Sequence, residues 1–558
     1  MTAPFRPQAQ LGTHEVTNQP PPLVDYDLYA VDPALKAAVA AFGDAATAAA
    51  GRDYGRALGR ADMLEAGDLA NRYPPEFRPF DRYGHRIDEV RFHPAYHQLM
   101  ALGMAHGQHS AAWEDGGSHV RHTVLEYLMH QVEAGVCCPL SMTYAGLPAL
   151  KHHPDLYAAW APKLTSRSYD PAMRPVAEKA GATMGMAMTE KQGGSDVRAN
   201  ATTAEPLGAG RHRLIGHKWF CSAPMSDAFL TLAYLPDGLS CFFVPRWTEA
   251  GERNAIRIQR LKDKLGNKAN ASSEIEYHGA EAVLVGEPGR GVQTIIEMVH
   301  HTRLDCTVGA ASLMRAGLTQ ALHHARHRRA FQKHLIDQPL MRQVLTDLVL
   351  EQDAAVWLTV RIAAAFDKGA ENAAERALAR IGVAIAKYWL NKRVANFLYE
   401  AMEVHGGAGY VEEGPMPRLY REAPLNSIWE GSGNVICLDV LRAMTRQPDS
   451  AEALMAELGR QKGAAPALDR LLDEIGALMA EPAQLEVRAR RLVERLALAW
   501  QAGLLIEHAD TETAELFLAA RLGGTGVYGS LPDSPAGARR LERAMEALPE
   551  AKAGARGT

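Results

Sequence analysis

The stretch MTEKQGGSDV, Met188 to Val197, stands where the sequence changes from one kind of structure to another. It offers hydroxyl groups at Thr189 and Ser195 and paired glycines at Gly193 and Gly194. Small residues with free backbone N–H groups suit a loop that lies against a planar polar ligand or a phosphate. The same residues are also common in ordinary turns, so the loop by itself leaves both interpretations open.

The segments before this loop have helical patterns. Apolar residues recur at helical spacing in DPALKAAVAAFGDAATAAA and VRHTVLEYLMHQVEAG. Proline-rich breaks such as NQPPPL and RYPPEFRPF separate these segments. We therefore expect an N-terminal extended arm and helical domain over residues 1–184.

The segments after the loop have the pattern of strands. HRLIGHKWFCS, AFLTLAYL and SSEIEYHG are short runs rich in aromatic and β-branched residues, separated by Gly, Pro and Asn. Such runs predict a compact central β domain, which we assign to residues 185–290.

Long helical segments return near Val292. Four amphipathic segments with short connections, the last opened by SIWEGSGN (Ser427 to Asn434), predict a four-helix bundle over 291–445. Helical spacing in RARRLVERLALAWQAGLLIEHA predicts a helical extension over 446–558. The expected fold class is α+β, mainly α.

Composition excludes several classes of protein. The 558 residues, 47% of them hydrophobic, suffice for several cores, and the net charge of −5 gives no global case for nucleic acid or membrane binding. Six scattered cysteines form no CxxC pair, and no histidine spacing is typical of a metal site, so we expect no metal and a cytoplasmic location. No segment is apolar over about 18 residues, so we expect no membrane helix.

Glu430, within SIWEGSGN, admits two interpretations. Acidic residues are favoured at helix starts, because unpaired N–H groups and the helix dipole attract negative charge. Alternatively, Glu430 is a catalytic base: the neighbouring glycines allow a ligand to approach the backbone, and Trp429 helps to exclude water.

The order of the motifs resembles the acyl-CoA dehydrogenase flavoprotein family. The matching motifs are MTEKQGGSD, GHKWFCS, RRAF, EVHGGAGY and SIWEGSGN, and the resemblance covers about residues 80–445. MTEKQGGSDV, RLKDKLGN and RLYRE are further similar to the alkylation-response (AidB) branch, which is isovaleryl-CoA dehydrogenase-like. The resemblance implies bound FAD, a homotetramer and an extra helical C-terminal domain.

The resemblance also implies a reaction, the α,β-dehydrogenation of a short or branched acyl-CoA thioester. A carboxylate takes the α-proton while the β-hydrogen leaves as hydride to the flavin. Glu430 matches the family's commonest base. The alternative base position, just before Arg303, holds Thr302, which cannot act as a base, so the resemblance assigns Glu430 as catalytic.

The resemblance assigns further residues to the cofactor and to the substrate entrance. Arg328 and Phe331 match residues that reach the adenosine half of FAD in a neighbouring subunit. Lys191 and Gln192 replace residues that border the acyl-CoA entrance, and we expect this polar pair to narrow it and to reduce activity. The expected FAD contacts are Met186, Met188, Thr189, Gly194, Ser195, Phe220, Cys221, Ser222, Arg328, Phe331, Gly406, Gly407, Ile428, Trp429, Gly431 and Asn434.

The AidB branch is associated with binding of double-stranded DNA through the C-terminal extension, in the response to DNA alkylation. Residues 446–558 hold 14 Lys and Arg against 17 Asp and Glu, a balance that does not favour phosphate binding. Charges can still segregate, because Arg488, Arg491 and Arg495 share one helical stripe. The other candidates are Arg442, Arg539, Arg540 and Arg543. The alternative is an ordinary acyl-CoA dehydrogenase of fatty-acid or branched-chain amino-acid breakdown that binds no DNA.

Overall fold

Helices dominate the first part of the computed structural model, which describes residues 7–208, 210–523 and 526–550. The first helix has a clear start signal: Asp32 accepts a hydrogen bond from the backbone N–H of Leu35 at 3.0 Å, and Pro33 occupies the first helical position. The helices are α1 (Pro33–Phe42), α2 (Ala45–Leu58), α3 (Ala61–Arg72), α4 (Pro94–Ala105), α5 (His119–Val132), α6 (Ala134–Leu150) and α7 (Pro154–Leu164).

A β-hairpin interrupts these helices where RYPPEFRPF predicts only a break. β1 (Glu76–Phe80) pairs antiparallel with β2 (Arg86–Arg91), and Pro79 falls at an irregularity in the pairing. Proline cannot donate a ladder hydrogen bond, so a strand that carries it at such a position is concealed in the sequence. Arg86 joins the hairpin to the β domain by donating from Nη2 to the carbonyl oxygen of Ile258 at 2.8 Å.

Seven strands of the described chain form the central sheet. They are β3 (Met184–Ala187), β4 (Thr203–Gly208), β5 (Arg211–Ser222), β6 (Ala228–Leu235), β7 (Gly238–Pro245), β8 (Ile256–Leu261) and β9 (Ser272–Val285). Strand pairing runs β6-β4-β5-β9-β7 and returns from β7 to β6, while β3 adds to β6 and β8 adds to β9. This ring of pairings surrounds an apolar core, to which Val90 of the β1–β2 hairpin also contributes.

Long helices then form the predicted bundle. They are α8 (Gly291–His327), α9 (Pro339–Lys368), α10 (Ala373–Val404) and α12 (Gly433–Arg446), with the short strands β10 (Arg329–Ala330) and β11 (Lys333–His334) after α8 and the short helix α11 (Met416–Glu422) before α12. The third long helix ends as predicted near the glycine pair, with Gly406 at a φ of 60°.

The C-terminal extension is helical and packs against α9 and α10. Its helices are α13 (Pro448–Gly459), α14 (Pro466–Met479), α15 (Leu485–His508), α16 (Thr511–Gly523) and α17 (Pro535–Glu546). Trp500 of α15 packs so closely on α10 that a Cβ at Gly382 would lie 2.7 Å from its ring. One apolar cluster therefore joins the N-terminal helices, the bundle and the extension.

The predicted fold class is confirmed: the chain is mainly helical around a central β unit, with a four-helix bundle and a helical extension. Among the described residues, no helix combines the length and the apolar character needed to cross a membrane.

Candidate active site

Glu430 lies in a left-handed turn just before the last bundle helix. Its φ is 57° and that of Gly431 is 105°, whereas α12 begins only at Gly433, behind the N-cap Ser432. A non-glycine residue in such a conformation costs about 1–3 kcal/mol, and such residues cluster at functional sites. The carboxylate is outside the first helical turn, which does not fit the interpretation of Glu430 as a helix-start acid.

The carboxyl group of Glu430 has an unused oxygen. Its Oε2 is buried and has no hydrogen-bond partner among the described residues. Burial raises the pKa of Glu430, and Arg303, Thr302 and Lys387 oppose part of this rise. A positioned carboxyl group with a raised pKa is suited to act as a general base near neutral pH.

Two buried cations hold the backbone of this turn. Arg303 donates from Nε to the carbonyl oxygen of Glu430 at 3.0 Å, and Lys387 donates from Nζ to that of Gly431 at 2.7 Å. Asp439 holds Arg303 in turn, by accepting from its Nη1 at 2.9 Å. Burial alone would raise the pKa of Asp439, but the arginine charges around it keep it below its ordinary value. Residues from α8, α10 and α12 thus fix the turn together.

A buried carboxylate organises the loop after β3. Glu190 accepts hydrogen bonds from Lys218 Nζ at 2.7 Å and from Thr202 Oγ1 at 2.6 Å. Burial alone would raise the pKa of Glu190, but these partners lower it to about 2, so the group is charged at neutral pH. The anchored loop carries the candidate flavin contacts Met188, Thr189, Gly194 and Ser195, and the candidate Met186 lies just before it on β3.

The end of β5 lies beside this loop. The backbone N–H of Trp219 donates to the carbonyl oxygen of Thr189 at 2.7 Å, which joins the loop to the strand. Phe220 is 49% exposed, Cys221 is buried and Ser222 is partly exposed. Phe220 therefore leaves half of its surface open to a ligand or partner.

Three residues that the sequence did not single out lie close to the end of β5 and to Glu430. Cys138 of α6 lies near Ser222, Lys264 and Glu430, and burial raises its pKa to about 12, so the thiol stays protonated. Burial lowers the pKa of Lys264 to about 8. Both amide atoms of Asn270 are buried without a hydrogen-bond partner among the described residues. The RLKDKLGN motif contains Lys264 and offered a signal, whereas Cys138 and Asn270 are brought here by the fold.

Other candidate flavin contacts lie on two exposed turns. In the turn between β10 and β11, Phe331 and Gln332 have φ values of 50° and 66°, and Phe331 is 92% exposed. Arg328 donates from Nη1 to the carbonyl oxygen of Asn18 in the N-terminal arm at 2.7 Å. A Cβ added to either residue of the pair Gly406–Gly407 would meet no described atom within 4 Å. Both turns are open to a ligand or a second subunit.

The remaining candidates flank Glu430. Trp429 donates from Nε1 to Asn426 Oδ1 at 2.7 Å, and Ile428 is exposed. Asn434, expected at the flavin, accepts a hydrogen bond at Oδ1 from Arg490 of the extension at 2.8 Å. The extension therefore contacts the segment that carries the catalytic candidate.

The two residues predicted to narrow the substrate entrance have different surroundings. The amide nitrogen of Gln192 donates to Glu190 Oε2 at 2.7 Å and to the carbonyl oxygen of Ala199 at 3.0 Å, which gives it a role inside the loop. The ammonium group of Lys191 lies 5.6 Å from the centre of the Trp219 ring. Narrowing of the entrance stays a prediction.

The residues fit the flavin that the family resemblance implies. The unpaired amide of Asn270 and the free oxygen of Glu430 supply hydrogen-bonding capacity beside Ser222. The open glycine pair Gly406–Gly407 leaves room for close approach of a phosphate to the backbone.

The arginine stripe of the extension is paired with acids. The pairs are Arg488–Glu481, Arg491–Glu474, Arg495–Glu474 and Arg495–Glu494, with N···O distances of 2.9, 2.6, 3.2 and 3.1 Å. The other candidates pair as Arg442–Asp439, Arg539–Glu512, Arg540–Asp353 and Arg540–Asp510, while Arg543 is exposed. The surface therefore carries both charges, and Arg495 and Arg540 each contact two carboxylates, whereas Arg442, Arg488, Arg491 and Arg539 each contact one.

One buried group within the described residues has the composition of a metal site. Ligand atoms of Glu126, His130 and Cys137 lie within 4.8 Å of one another. Burial would lower the pKa of His130, but the charge of Glu126 raises it, and burial raises that of Cys137 well above its ordinary value. Within the group, His130 Nδ1 lies 3.2 Å from Glu126 Oε1, so a buried histidine–carboxylate contact accounts for the arrangement.

Comparisons with known proteins cover most of the chain. Residues 18–171 match the model described as the adaptive response protein AidB N-terminal domain. Residues 185–280 match the acyl-CoA dehydrogenase middle domain, and residues 289–445 match the acyl-CoA dehydrogenase C-terminal domain.

Individual relatives resemble the chain over nearly its whole length. It is 43% identical to the putative acyl-CoA dehydrogenase AidB of Escherichia coli, over 92% of this chain and 95% of that protein. The structure of Caenorhabditis elegans ACDH-11 in complex with C11-CoA aligns with a TM-score of 0.82 at 25% identity, over 98% and 95% of the two chains. An acyl-CoA dehydrogenase complexed with FAD from Bacillus anthracis shares the fold, with a TM-score of 0.63 at 18% identity over 82% and 81%.

Proposed function

The chain belongs to the AidB branch of the acyl-CoA dehydrogenase family and is an FAD-dependent oxidoreductase of that type, and from this premise we propose that it dehydrogenates short or branched acyl-CoA thioesters with Glu430 as the base. The observation that carries the proposal is the left-handed turn that holds Glu430 with a buried, unpartnered Oε2. Acyl-CoA as the substrate class is supported by the C11-CoA complex of the nematode relative.

Different residues of the chain would bind the cofactor and take the proton in this reaction. When bound, FAD supplies the two-electron acceptor for the β-hydrogen. Thr189, Ser195 and Ser222 would hold the cofactor through their hydroxyl groups. Glu430 takes the α-proton at its free carboxylate oxygen, and the positive charges of Arg303 and Lys387 favour the ionised form that this step requires.

An anaerobic titration tests the substrate proposal. The FAD-loaded protein is mixed with butyryl-, isovaleryl- and undecanoyl-CoA while flavin absorbance is followed. We expect the short or branched esters to bleach the flavin. If only undecanoyl-CoA bleaches the flavin, the substrates are acyl-CoA esters with longer chains than proposed. If the flavin stays oxidised with all three esters, the dehydrogenase proposal is refuted.

We also propose that the active protein is a homotetramer. The strained β10–β11 turn presents Phe331 at 92% exposure, and a large apolar side chain held outward in a costly conformation fits burial by another subunit. Light scattering should give the mass of four chains, and Phe331→Ser should lower both this mass and FAD retention. A wild-type monomer with FAD fully bound would contradict the proposal.

We further propose that the extension binds double-stranded DNA without sequence preference, in a cytoplasmic response to DNA alkylation. The similarity to an adaptive response protein supports this role. The pairs of Arg488 and Arg491 lie at the surface, where ion pairs contribute about 0–1 kcal/mol, so phosphates can compete for these arginines. All six cysteines, which lie within the described residues, are free thiols, in keeping with a reducing compartment.

Removing the stripe should weaken DNA binding for all duplex sequences alike. Binding through phosphate contacts falls by roughly one power of salt concentration for each phosphate neutralised. The variant with Arg488, Arg491 and Arg495 replaced by alanine should therefore bind less tightly and show a flatter salt dependence in gel-shift series. Most of the effect should come from Arg488 and Arg491, since Arg495 is less exposed.

A matched variant removes the same charge from the β domain. Arg211, Arg213 and Arg257 are comparably exposed and are each paired with one acid, and their replacement by alanine should leave DNA binding unchanged. Equal affinity and salt slope in the wild type and both triple variants would leave the alternative, a dehydrogenase of fatty-acid or branched-chain amino-acid breakdown without DNA binding at this face.

A further inference from the structure

Lys387 is a buried lysine whose position is unusual for a residue of that type. It lies on α10 with 1% of its side chain exposed, and its Nζ donates to the carbonyl oxygen of Gly431 at 2.7 Å. Burying an ammonium group is costly unless its surroundings compensate. The acceptor is a neutral carbonyl, and it belongs to the residue directly after Glu430.

The charged and titratable groups around Lys387 come from three elements. Arg303 and Cys306 lie on α8, Glu430 precedes α12, and Lys392 follows on α10 itself. Burial lowers the pKa of Lys387 to about 8, with Cys306 and Glu430 opposing this and the two other cations adding to it. At neutral pH the ammonium form therefore still predominates.

Glu430 is surrounded by some of the groups that also surround Lys387. Burial raises the pKa of the Glu430 carboxyl, and Arg303, Thr302 and Lys387 act against that rise. On the side of α6, Cys138 faces the same carboxyl as a protonated thiol. Arg303 and Lys387 are the cations of this environment, and each of them also donates to a carbonyl of the turn.

We propose that Lys387 is a positioning residue for Glu430, which fixes the left-handed turn through Gly431 and supplies a second positive charge that favours the ionised form of the Glu430 carboxyl. The two effects reinforce each other, because the hydrogen bond that shapes the turn also holds the charge close to the carboxyl. Lys387 is one of three groups that lower the pKa of the Glu430 carboxyl, after Arg303 and Thr302, because an opposite charge favours the ionised form of a carboxyl group. The inference rests on the proposed role of Glu430 as the base.

The test measures ionisation of Glu430 directly in the FAD-loaded protein. The carbonyl stretch of the protonated Glu430 carboxyl is identified in infrared difference spectra by its absence from Glu430→Gln, and its pH midpoint is then measured. Lys387→Met should move this midpoint up by about one pH unit or more. Flavin reduction by acyl-CoA should shift its pH profile by the same amount, so that at a pH below the midpoint the rate falls roughly tenfold, while FAD content is unchanged.

Further variants separate charge from shape. Lys387→Gln keeps a donor for the Gly431 carbonyl but removes the charge, and it should show the same midpoint shift; it also decides the test if Lys387→Met does not fold. Lys387→Arg should restore a midpoint close to that of the wild type. Lys392→Met removes a charge from the exposed side of the same helix and should move the midpoint by no more than a few tenths of a unit, because water screens that charge.

The outcomes distinguish this inference from the proposed function. An unchanged midpoint in both Lys387→Met and Lys387→Gln overturns the inference, whatever happens to the rate. If no acyl-CoA ester reduces the wild-type flavin, the proposed reaction fails, yet the infrared midpoint still decides whether Lys387 controls the charge of Glu430.

Discussion

Replacing Glu430 by glutamine slows reduction of the bound flavin by acyl-CoA about 10²–10⁴-fold and leaves FAD bound. This is the expected result because loss of a general base typically costs that factor in rate. Glutamine keeps the size of the side chain and its place beside Thr302 but cannot take a proton. The measurement is stopped-flow absorbance under anaerobic conditions, with FAD content determined on the same sample.

The pH dependence gives this result a second readout. The reaction requires the carboxylate, and burial raises the pKa of Glu430, so the wild-type rate should increase with pH through a midpoint above the ordinary value of a glutamate. In Glu430→Gln this limb should be missing. Glu413→Gln removes a charge from an exposed position before α11 and should leave rate and profile unchanged. A Glu430→Gln variant that reduces at the wild-type rate would assign the base to another group.

The elements with strong patterns were predictable from the sequence. Helical spacing gave the bundle and the extension, and β-branched runs gave the sheet, because these periods are set by burial of one face. The hairpin at β1 and β2 was not predictable, since Pro79 removes a donor and the strands are short. The hairpin contacts the β domain, for example from Arg86 to Ile258, and a local pattern does not encode such a contact.

The catalytic candidate and its supports differ in the same way. Glu430 was assigned through the family resemblance, because its local pattern, a glutamate beside glycine before a helix, fits a helix-start acid equally well. Lys387 and Cys138 gave none: on α10 and α6 they appear as ordinary members of long helices, and only packing brings them to the turn. The arginine stripe shows the limit of helical spacing. It places Arg491 and Arg495 together, but their shared partner Glu474 belongs to another helix.

Replacing Arg361 by methionine should lower the free energy of unfolding by about 3–5 kcal/mol, which is typical of a buried ion pair that loses one partner. Arg361 of α9 is 3% exposed and contacts two carboxylates, Glu375 of α10 at 2.9 Å and Glu457 of α13 at 2.7 Å. The variant leaves Glu457 buried without its main cation, so the contact between the bundle and the extension is weakened. The loss of stability is measured by urea unfolding followed by tryptophan fluorescence. Trp500 is a suitable reporter because its Nε1 donates to Glu457.

Arg460 provides the matched control, because it contacts the same Glu457 from the solvent side at 3.5 Å and is 49% exposed. Arg460→Ala should cost no more than about 1 kcal/mol.

The sign of the pH dependence is also fixed. Burial alone would raise the pKa of Glu457, but Arg361 holds this pKa below its ordinary value. The ion pair therefore stabilises the folded protein fully at a pH above the pKa that Glu457 has in the unfolded chain. This stabilisation is lost as the pH falls through the lower pKa that Glu457 has in the folded protein. The gap between the wild type and Arg361→Met should therefore shrink in acid. Equal urea midpoints for the two arginine variants, or a gap that does not change with pH, would show that the Arg361–Glu457 pair does not hold the extension to the bundle.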